Sequence, residues 1–264
     1  MKTFKIGGVH PNDSKISKDC AIEDFPVLEK AYLSMAQHLG APAEPIVQKG
    51  DKVKVGQLIA KPTGFVSANI HSSVSGTVAA VEPYADLAGN PVMHVIIDVE
   101  GDEWEESIDR TPDVVRDITL SKEEIIKRIQ DCGIVGLGGA SFPTHIKLTP
   151  PPGKVAEYLL INGAECEPFL TSDYRLMIEQ PEQVLIGAKI MMKALDVKKC
   201  RFGVEENKPE AIAKLKSFSA QYPEIEIVPL KKKYPQGGEK QLIEALTGRR
   251  VPSMGLPIDA GAVV

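Results

Sequence analysis

Between Gly133 and Lys147 the chain reads GIVGLGGASFPTHIK. Gly133, Gly136, Gly138 and Gly139 lie close together, followed by Ala140, Ser141, Phe142, Pro143 and then Lys147. Glycines at this density permit positive φ angles and let backbone N–H groups approach a ligand with no Cβ in the way. N–H groups converging on one concavity make an anion nest, to which a lysine adds a point charge. The chemistry this suits is cradling a phosphate-bearing cofactor; a plain tight turn is the competing reading. The order G-x-x-G-x-G-G is neither the G-x-G-x-x-G dinucleotide fingerprint nor a G-x-x-x-x-G-K-[ST] P-loop, so those two classes are unsupported.

Two further runs carry polar residues in turn-forming company. Asn162-Gly163-Ala164-Glu165-Cys166-Glu167-Pro168 follows an apolar segment, and Tyr234-Pro235-Gln236-Gly237-Gly238-Glu239-Lys240 precedes a helical pattern. Glu165 and Glu167, taken alone, read as solvated surface carboxylates. The second run reads by default as a turn and cap, although its N–H groups could face an anion.

The elements that must position these runs alternate. Ser121-Lys122-Glu123-Glu124 is a capping box opening a helix with Ile125, Ile126 and Ile129 on one face. Residues 155–161 read as a strand, 181–195 as a helix and 201–204 as a strand. Asn207 to Glu210 cap another helix, 224–230 alternate as a strand, and a last helix from about Glu239 to Leu246 stops at Gly248. Strand and helix in alternation predict a mostly parallel sheet with helices on it, and in such sheets ligands sit at the carboxyl ends of strands. The strand 155–161 ends at Asn162–Pro168, where a ligand would lie.

The first half has a different period. Val27–Leu39 is a helical candidate closed by Gly40 and Pro42. From Val47 to Val81 short β segments are punctuated by glycine, and Pro91–Val99 is a longer strand after Gly89-Asn90. Lys49–Leu58 and Ser75–Val78 resemble the paired hairpins of the lipoyl/biotinyl type of flattened β-barrel. A swinging-arm carrier needs a lysine at the hairpin tip, and there is none between Lys61 and Lys122. The barrel is therefore expected as a structural or docking domain. The charged stretch 100–120 reads as a linker, giving domains at 1–116 and 117–264.

Composition is that of a water-soluble globular chain of 264 residues, 43% hydrophobic and 25% charged. A formal charge of −5 gives no electrostatic case for nucleic acid. No apolar run approaches the ~20 residues of a membrane-spanning helix. The four cysteines, Cys20, Cys132, Cys166 and Cys200, form no C-x-x-C and read as small buried hydrophobes.

Three motifs in this order resemble a known family. GLGGASFPTHIK is similar to the flavin loop G-R-G-G-A-G-F-P-T-G-x-K of the FMN-bearing subunit of respiratory complex I. INGAECEPFLTSDYRLM resembles that family's C-N-A-D-E-x-E-P-G-x-x-K-D-R, and YPQGGEKQLIEAL its Y-I-C-G-E-E-T-A-L-I-x-x-L. The opening GGVHPNDSK, the barrel, ECEP and YPQGGEK resemble most closely the RnfC family, a component of the Rnf electron-transport complex. The resemblance implies an α/β, Rossmann-like FMN-binding domain preceded by a barrel-sandwich hybrid.

It further implies that Gly136, Gly138, Gly139 and Ala140 face the FMN phosphate and ribityl chain, with Lys147 reaching phosphate or flavin. Asn162 and Glu165 would hydrogen-bond the flavin, Glu167 would act on the nicotinamide side, and Phe142 would lie against the adenine of NADH. Tyr234, Gly237 and Glu239 would complete the pocket. The family's Arg is Leu137 here, its Asp is Ala164, and one carboxylate, Glu239, stands for a usual pair. The implied activity is electron transfer between NAD(H) and iron–sulfur clusters, with ferredoxin reached through the other subunits of a membrane complex. The protein would sit peripherally on the cytoplasmic side of the inner membrane. The family continues into a β-grasp domain and a ferredoxin-like domain holding two 4Fe-4S clusters. This chain stops at Val264, so a C-terminally truncated chain, inactive alone, is expected. The alternative is a docking module that keeps the fold without the cofactor.

Overall fold

A computed structural model describes residues 1–86 and 88–264. Two compact units emerge, and neither is continuous in sequence. One comprises Asp24–Asp113 with Ile126–Lys147; the other comprises Met1–Glu23, Val114–Ile125 and Leu148–Val264.

The first unit is all-β apart from its late segment. Its strands are β1 (Lys30–Ser34), β2 (Glu44–Pro45), β3 (Lys52–Val53), β4 (Leu58–Lys61), β5 (Ile70–His71), β6 (Gly76–Ala85) and β7 (Pro91–Val99). They form two antiparallel sheets, ordered β1-β7-β6-β3 and β2-β4-β5. Met35, Val53, Ile59, Ile70, Val78, Val95 and Ile97 fill the space enclosed by the strands. Successive side chains of a strand point to opposite faces, so only some positions of β6 and β7 can supply this core.

One expectation fails here. Val27–Leu39 is not a helix: residues 30–34 pair as β1 with β7, Ala31 opposite Ile97 and Leu33 opposite Val95. Its apolar spacing fits either period, and a hydrogen-bonded partner with a row of Val and Ile decides for the strand. The turn that follows buries Met35 completely, its N–H bonded to the Met93 carbonyl at 2.9 Å.

The boundary between the units falls within helix α1 (Lys122–Asp131), whose capping box is formed as expected. The Ser121 N–H donates to Glu124 Oε2 at 2.7 Å, and the Glu124 N–H to Ser121 Oγ at 3.3 Å. Beyond it lie the Gly-rich loop and the single turn α2 (Thr144–Lys147).

The second unit contains β8 (Tyr158–Gly163), α3 (Ser172–Glu179), α4 (Pro181–Leu195), β9 (Cys200–Glu205), α5 (Pro209–Ser219), β10 (Ile225–Leu230), α6 (Glu239–Thr247) and β11 (Ala262–Val263). All four strands are parallel, ordered β10-β9-β8-β11. The chain therefore builds outward from β8 to β10, then returns through α6 to place β11 on the other side of β8. That reversal makes the β8/β11 boundary the topological switch point of the sheet. Leu160, Val228, Leu230, Leu242, Ile243 and Leu246 form a buried cluster joining α6 to the strands. Gly248 closes α6 at φ 75°, the left-handed conformation expected of it. Asn207 does not cap α5; the cap position is Lys208, and the Asn207 amide donates to Asp13 at 3.1 Å. Pro209 already starts the helix without a side-chain cap.

Candidate functional site

The predicted site residues fall into two sets, one in each unit. The Gly-rich loop is an excursion closed at its neck. Val135 bridges Pro143, the Gly136 N–H donates to the Phe142 carbonyl at 3.0 Å, and the Thr144 N–H to the Ile134 carbonyl at 3.0 Å. Of the four glycines only Gly133, at φ 65°, is left-handed; Ser141, at φ 51°, is the loop's other residue in that region. The glycine cluster thus provides bare backbone rather than positive φ. At Gly136 this matters directly: a Cβ there would stand 3.1 Å from the Lys147 ammonium. The turn of α2 brings Lys147 back against the loop. Leu137 at the tip is 92% exposed, and Gly138 and Gly139 border open space. Among the described residues the N–H groups of 137–141 donate no backbone hydrogen bond, which leaves them available to an anion.

In the other unit, Asn162 lies near the end of β8 with both ends of its carboxamide engaged. Nδ2 donates to the Gly237 carbonyl at 2.8 Å and Oδ1 accepts from the Ala164 N–H at 3.3 Å. The Gly237 N–H donates to Cys166 Sγ at 3.3 Å. Side chains at the end of β8 therefore take both polar groups of one backbone residue in the loop before α6. Gly237 is required by closeness: a Cβ there would lie 3.2 Å from Asn162 Oδ1 and 3.4 Å from Cys166 Sγ. Tyr234 flanks this loop, its N–H and carbonyl paired with Val9 at 2.8 Å each. Glu239 is exposed in the first turn of α6, where a carboxylate complements the helix dipole.

Glu165 and Glu167, two residues apart, have opposite fates. Glu167 is exposed. Glu165 lies inward, its side chain 1% exposed, at φ 47°. Its Oε1 accepts from the Asp173 and Tyr174 N–H groups at 2.8 and 3.3 Å, capping the start of α3, while Oε2 has no hydrogen-bond partner. Lys15 and Lys208 approach Oε2 at 3.7 and 4.0 Å. Lys208 is itself buried, donating to the Ala164 carbonyl at 2.7 Å and paired with the buried Glu205 at 3.9 Å. Burial pushes the Glu165, Asp173 and Glu205 carboxyls up and the Lys208 ammonium down, the mutual attraction offsetting only part of that cost.

Sequence reasoning missed Lys15, Lys208 and Glu205. Glu205 and Lys208 lie at and just past the carboxyl end of β9, a position the parallel topology marks; Lys15 closes the opening GGVHPNDSK, a run that signals the family by resemblance without marking a site residue. The cysteines also differ from expectation: Cys200 is buried, but Cys20 and Cys132 are exposed and Cys166 is half-buried at the loop just described. These three occupy turns, loops and a helix end rather than the sheet interior. Among the described residues no three His, Cys, Asp or Glu side chains form a metal-holding group, and no helix is long and apolar enough to cross a membrane.

The barrel of hairpins and the parallel sheet with its switch point each have counterparts among known proteins. The model of the Nuo51 FMN-binding domain matches residues 129–264, just over half of the chain. The chain belongs to this family. The RnfC barrel sandwich hybrid domain matches residues 2–102. Among curated relatives, the C component of the proton-translocating ferredoxin:NAD(+) oxidoreductase complex of Clostridium ljungdahlii is 48% identical over 100% of this chain and 57% of its own length. The C component of the Na(+)-translocating complex of Acetobacterium woodii is 45% identical over 99% of this chain and 59% of its own. The chain thus spans less than two thirds of these relatives. A solved chain of NAD+-reducing [NiFe]-hydrogenase overlaps 55% of this chain and 28% of its own at 26% identity and a TM-score of 0.45. The fold expected of an RnfC-type chain, a barrel-sandwich domain with a parallel-sheet FMN-binding domain, is the one observed.

Proposed function

We propose that this chain binds FMN and contacts NAD(H) within the electron-transfer subunit of an ion-translocating ferredoxin:NAD oxidoreductase complex. The observation that carries the reading is the polar run Asn162–Glu167 at the carboxyl end of β8, beside the switch point with β11, in a domain of the FMN-binding family. The residues suit the cofactor. Gly138 and Gly139 border open space, and a loop with unengaged N–H groups beside a lysine matches a phosphate.

In this reading Gly136, Gly138, Gly139, Ala140 and Lys147 hold the phosphate and ribityl chain, and Phe142 lies against the adenine of the dinucleotide. Asn162, Tyr234 and Gly237 bound the flavin, with Asn162 fixing the Gly237 peptide. Glu165 acts from behind, as the buried carboxylate that fixes the turn carrying Glu167. Glu167 faces the nicotinamide, where an exposed carboxylate accepts hydrogen bonds, and Glu239 adds a second carboxylate at the rim. FMN, when bound, supplies hydride exchange with NADH and single-electron transfer. The protein orients the two partners and neutralises the phosphate. The iron–sulfur clusters, ferredoxin and the other subunits belong to the same proposal, as does a peripheral place on the cytoplasmic face of the membrane.

The test is a titration of the purified chain with FMN and with riboflavin, followed by NADH under anaerobic conditions. Saturable FMN uptake, tighter than riboflavin, with bleaching of the flavin band by NADH is expected. A protein that takes up no FMN overturns the reading in favour of a docking module.

A further inference from the structure

We propose that residues 1–23 are a strap across the FMN-binding unit and that Lys15 is the positioning residue of its Glu165–Leu170 loop. The consequence for the flavin site rests on the function proposed above; the mechanical part does not.

The strap can be followed contact by contact. Lys2 bridges Leu230, with the Lys231 N–H bonded to the Lys2 carbonyl at 2.9 Å. Phe4, 3% exposed, lies under the Lys233 ammonium at 3.9 Å. Val9 pairs with Tyr234. The Asp13 carbonyl accepts from the Phe169 N–H at 2.9 Å, Ser17 Oγ meets Thr171 Oγ1 at 2.7 Å, and the Ile22 N–H donates to Glu179 at 3.0 Å. The segment therefore runs from the end of β10, past the Tyr234 loop, to the loop after β8 and on to α3. It engages both loops that the site reading uses in this unit.

Lys15 is the point of closest control. Its ammonium donates to the carbonyls of Glu165, Glu167 and Leu170, the first two at 2.9 Å, and lies 3.7 Å from the Glu165 carboxylate. An ammonium has three donors, and here three peptide carbonyls of one loop take them. The loop is thereby wound round a cation. Its two left-handed residues, Glu165 at φ 47° and Phe169 at φ 69°, are neither glycine nor asparagine. Such conformations persist only where the surroundings over-determine them; the carbonyls on Lys15 do so together with Lys208, which donates to the Ala164 and Glu165 carbonyls, and with the Asp13 carbonyl that holds the Phe169 N–H. With its carbonyl held inward, Glu167 keeps its side chain in solvent. Lys15 touches neither cofactor nor substrate in this scheme; it sets where Glu167 stands.

The experiment is hydrogen–deuterium exchange on the full chain and its Lys15→Met and Ser17→Ala variants, with FMN titration and NADH kinetics alongside. Lys15→Met is expected to speed exchange in residues 165–171 by about tenfold or more while β8, β9 and β10 keep their protection, since it removes three charge-assisted bonds from one loop. With FMN supplied and ferricyanide as the electron acceptor, which needs no iron–sulfur cluster, the KM for NADH should rise with kcat little changed. Ser17→Ala, which removes a strap contact but none of the carbonyl bonds, should do neither. Unchanged exchange in 165–171, or an equal effect from Ser17→Ala, overturns the assignment. If Lys15→Met does not fold, Lys15→Arg carries the test, because a planar guanidinium cannot direct three bonds as an ammonium does. If the unaltered chain takes up no FMN, the flavin reading falls, and the exchange result still decides the role of Lys15.

Discussion

Lys147 lies against bare backbone at Gly136, in a loop whose tip offers N–H groups, and on the proposed function the two together would favour a phosphate-bearing flavin. Lys147→Ala should weaken FMN binding by about 1–3 kcal/mol, the range for a charged hydrogen bond, and leave riboflavin binding nearly unchanged. Titration calorimetry with both ligands checks this; an equal loss for riboflavin would place the lysine away from phosphate. Glu165 gives a second, independent signature. Burial raises its folded-state pKa above the unfolded value, so the folded protein holds the proton more tightly between the two. Its contribution is fully present below the ordinary carboxylate pKa of about 4.3 and is lost as pH rises through the higher folded value. As pH rises across that window, the unfolding free energy of Glu165→Gln relative to the parent should therefore shift in the variant's favour, measured by urea denaturation at stepped pH. Asp173 and Glu205 are raised in the same sense and titrate alongside it. At this scale the sequence displayed Asn162, Glu167 and Lys147 as candidates through their motifs. The inward turn of Glu165 was illegible, because it depends on two lysines 150 and 43 residues away.

Elements were legible where one period ruled and neighbours agreed. The helix at Pro181–Leu195 and the strand at Pro91–Val99 stand where their patterns put them. Residues 27–39 did not, because their spacing served either a helix or a strand and β7 settled the matter. The short helix α3 went unread: it begins after a turn fixed by the buried Glu165 rather than by a local cap, and its Thr171 makes no side-chain cap bond. The two-residue β11 is too short to show any period. The first residue of the Gly-rich loop offers a test at this scale. Gly133 combines φ 65° with an approach so close that a Cβ would sit 2.2 Å from the Asn69 carbonyl oxygen. Asn69 Nδ2 also donates to the Asp131 carbonyl at 3.0 Å, at the end of α1. Gly133→Ala should therefore destabilise the barrel unit by about 1–3 kcal/mol through backbone displacement, seen as a lower melting temperature. Gly138→Ala, facing open space at ordinary φ, should cost far less.

The two units are interleaved along the sequence. A division near residue 116 follows the change in sequence pattern, yet 1–23 packs with 148–264 and 126–147 with 24–113. Pattern reading assigns a stretch to the neighbours it has along the chain, and nothing in composition announces that the first residues belong with the last. Fragments 1–116 and 117–264, produced separately, should each be more protease-sensitive than the intact chain at matched concentration. One holds Lys15 without its carbonyl ring, and the other holds Gly133 without Asn69. Equal resistance of the fragments would mean that those contacts contribute little.

The same thread has a consequence on the ribosome. Lys15 precedes the carbonyl it binds at Glu165 by 150 residues. At roughly 5–20 residues per second of synthesis, the strap is in solution for on the order of ten seconds before its loop exists. During that interval Phe4 has nowhere to settle, and it gains its contact with Lys233 only once that residue has emerged. Translation speed between residues 24 and 233 thus sets how long the apolar Phe4 segment is open to chaperones, and slow codons there should increase the yield of misfolded chain.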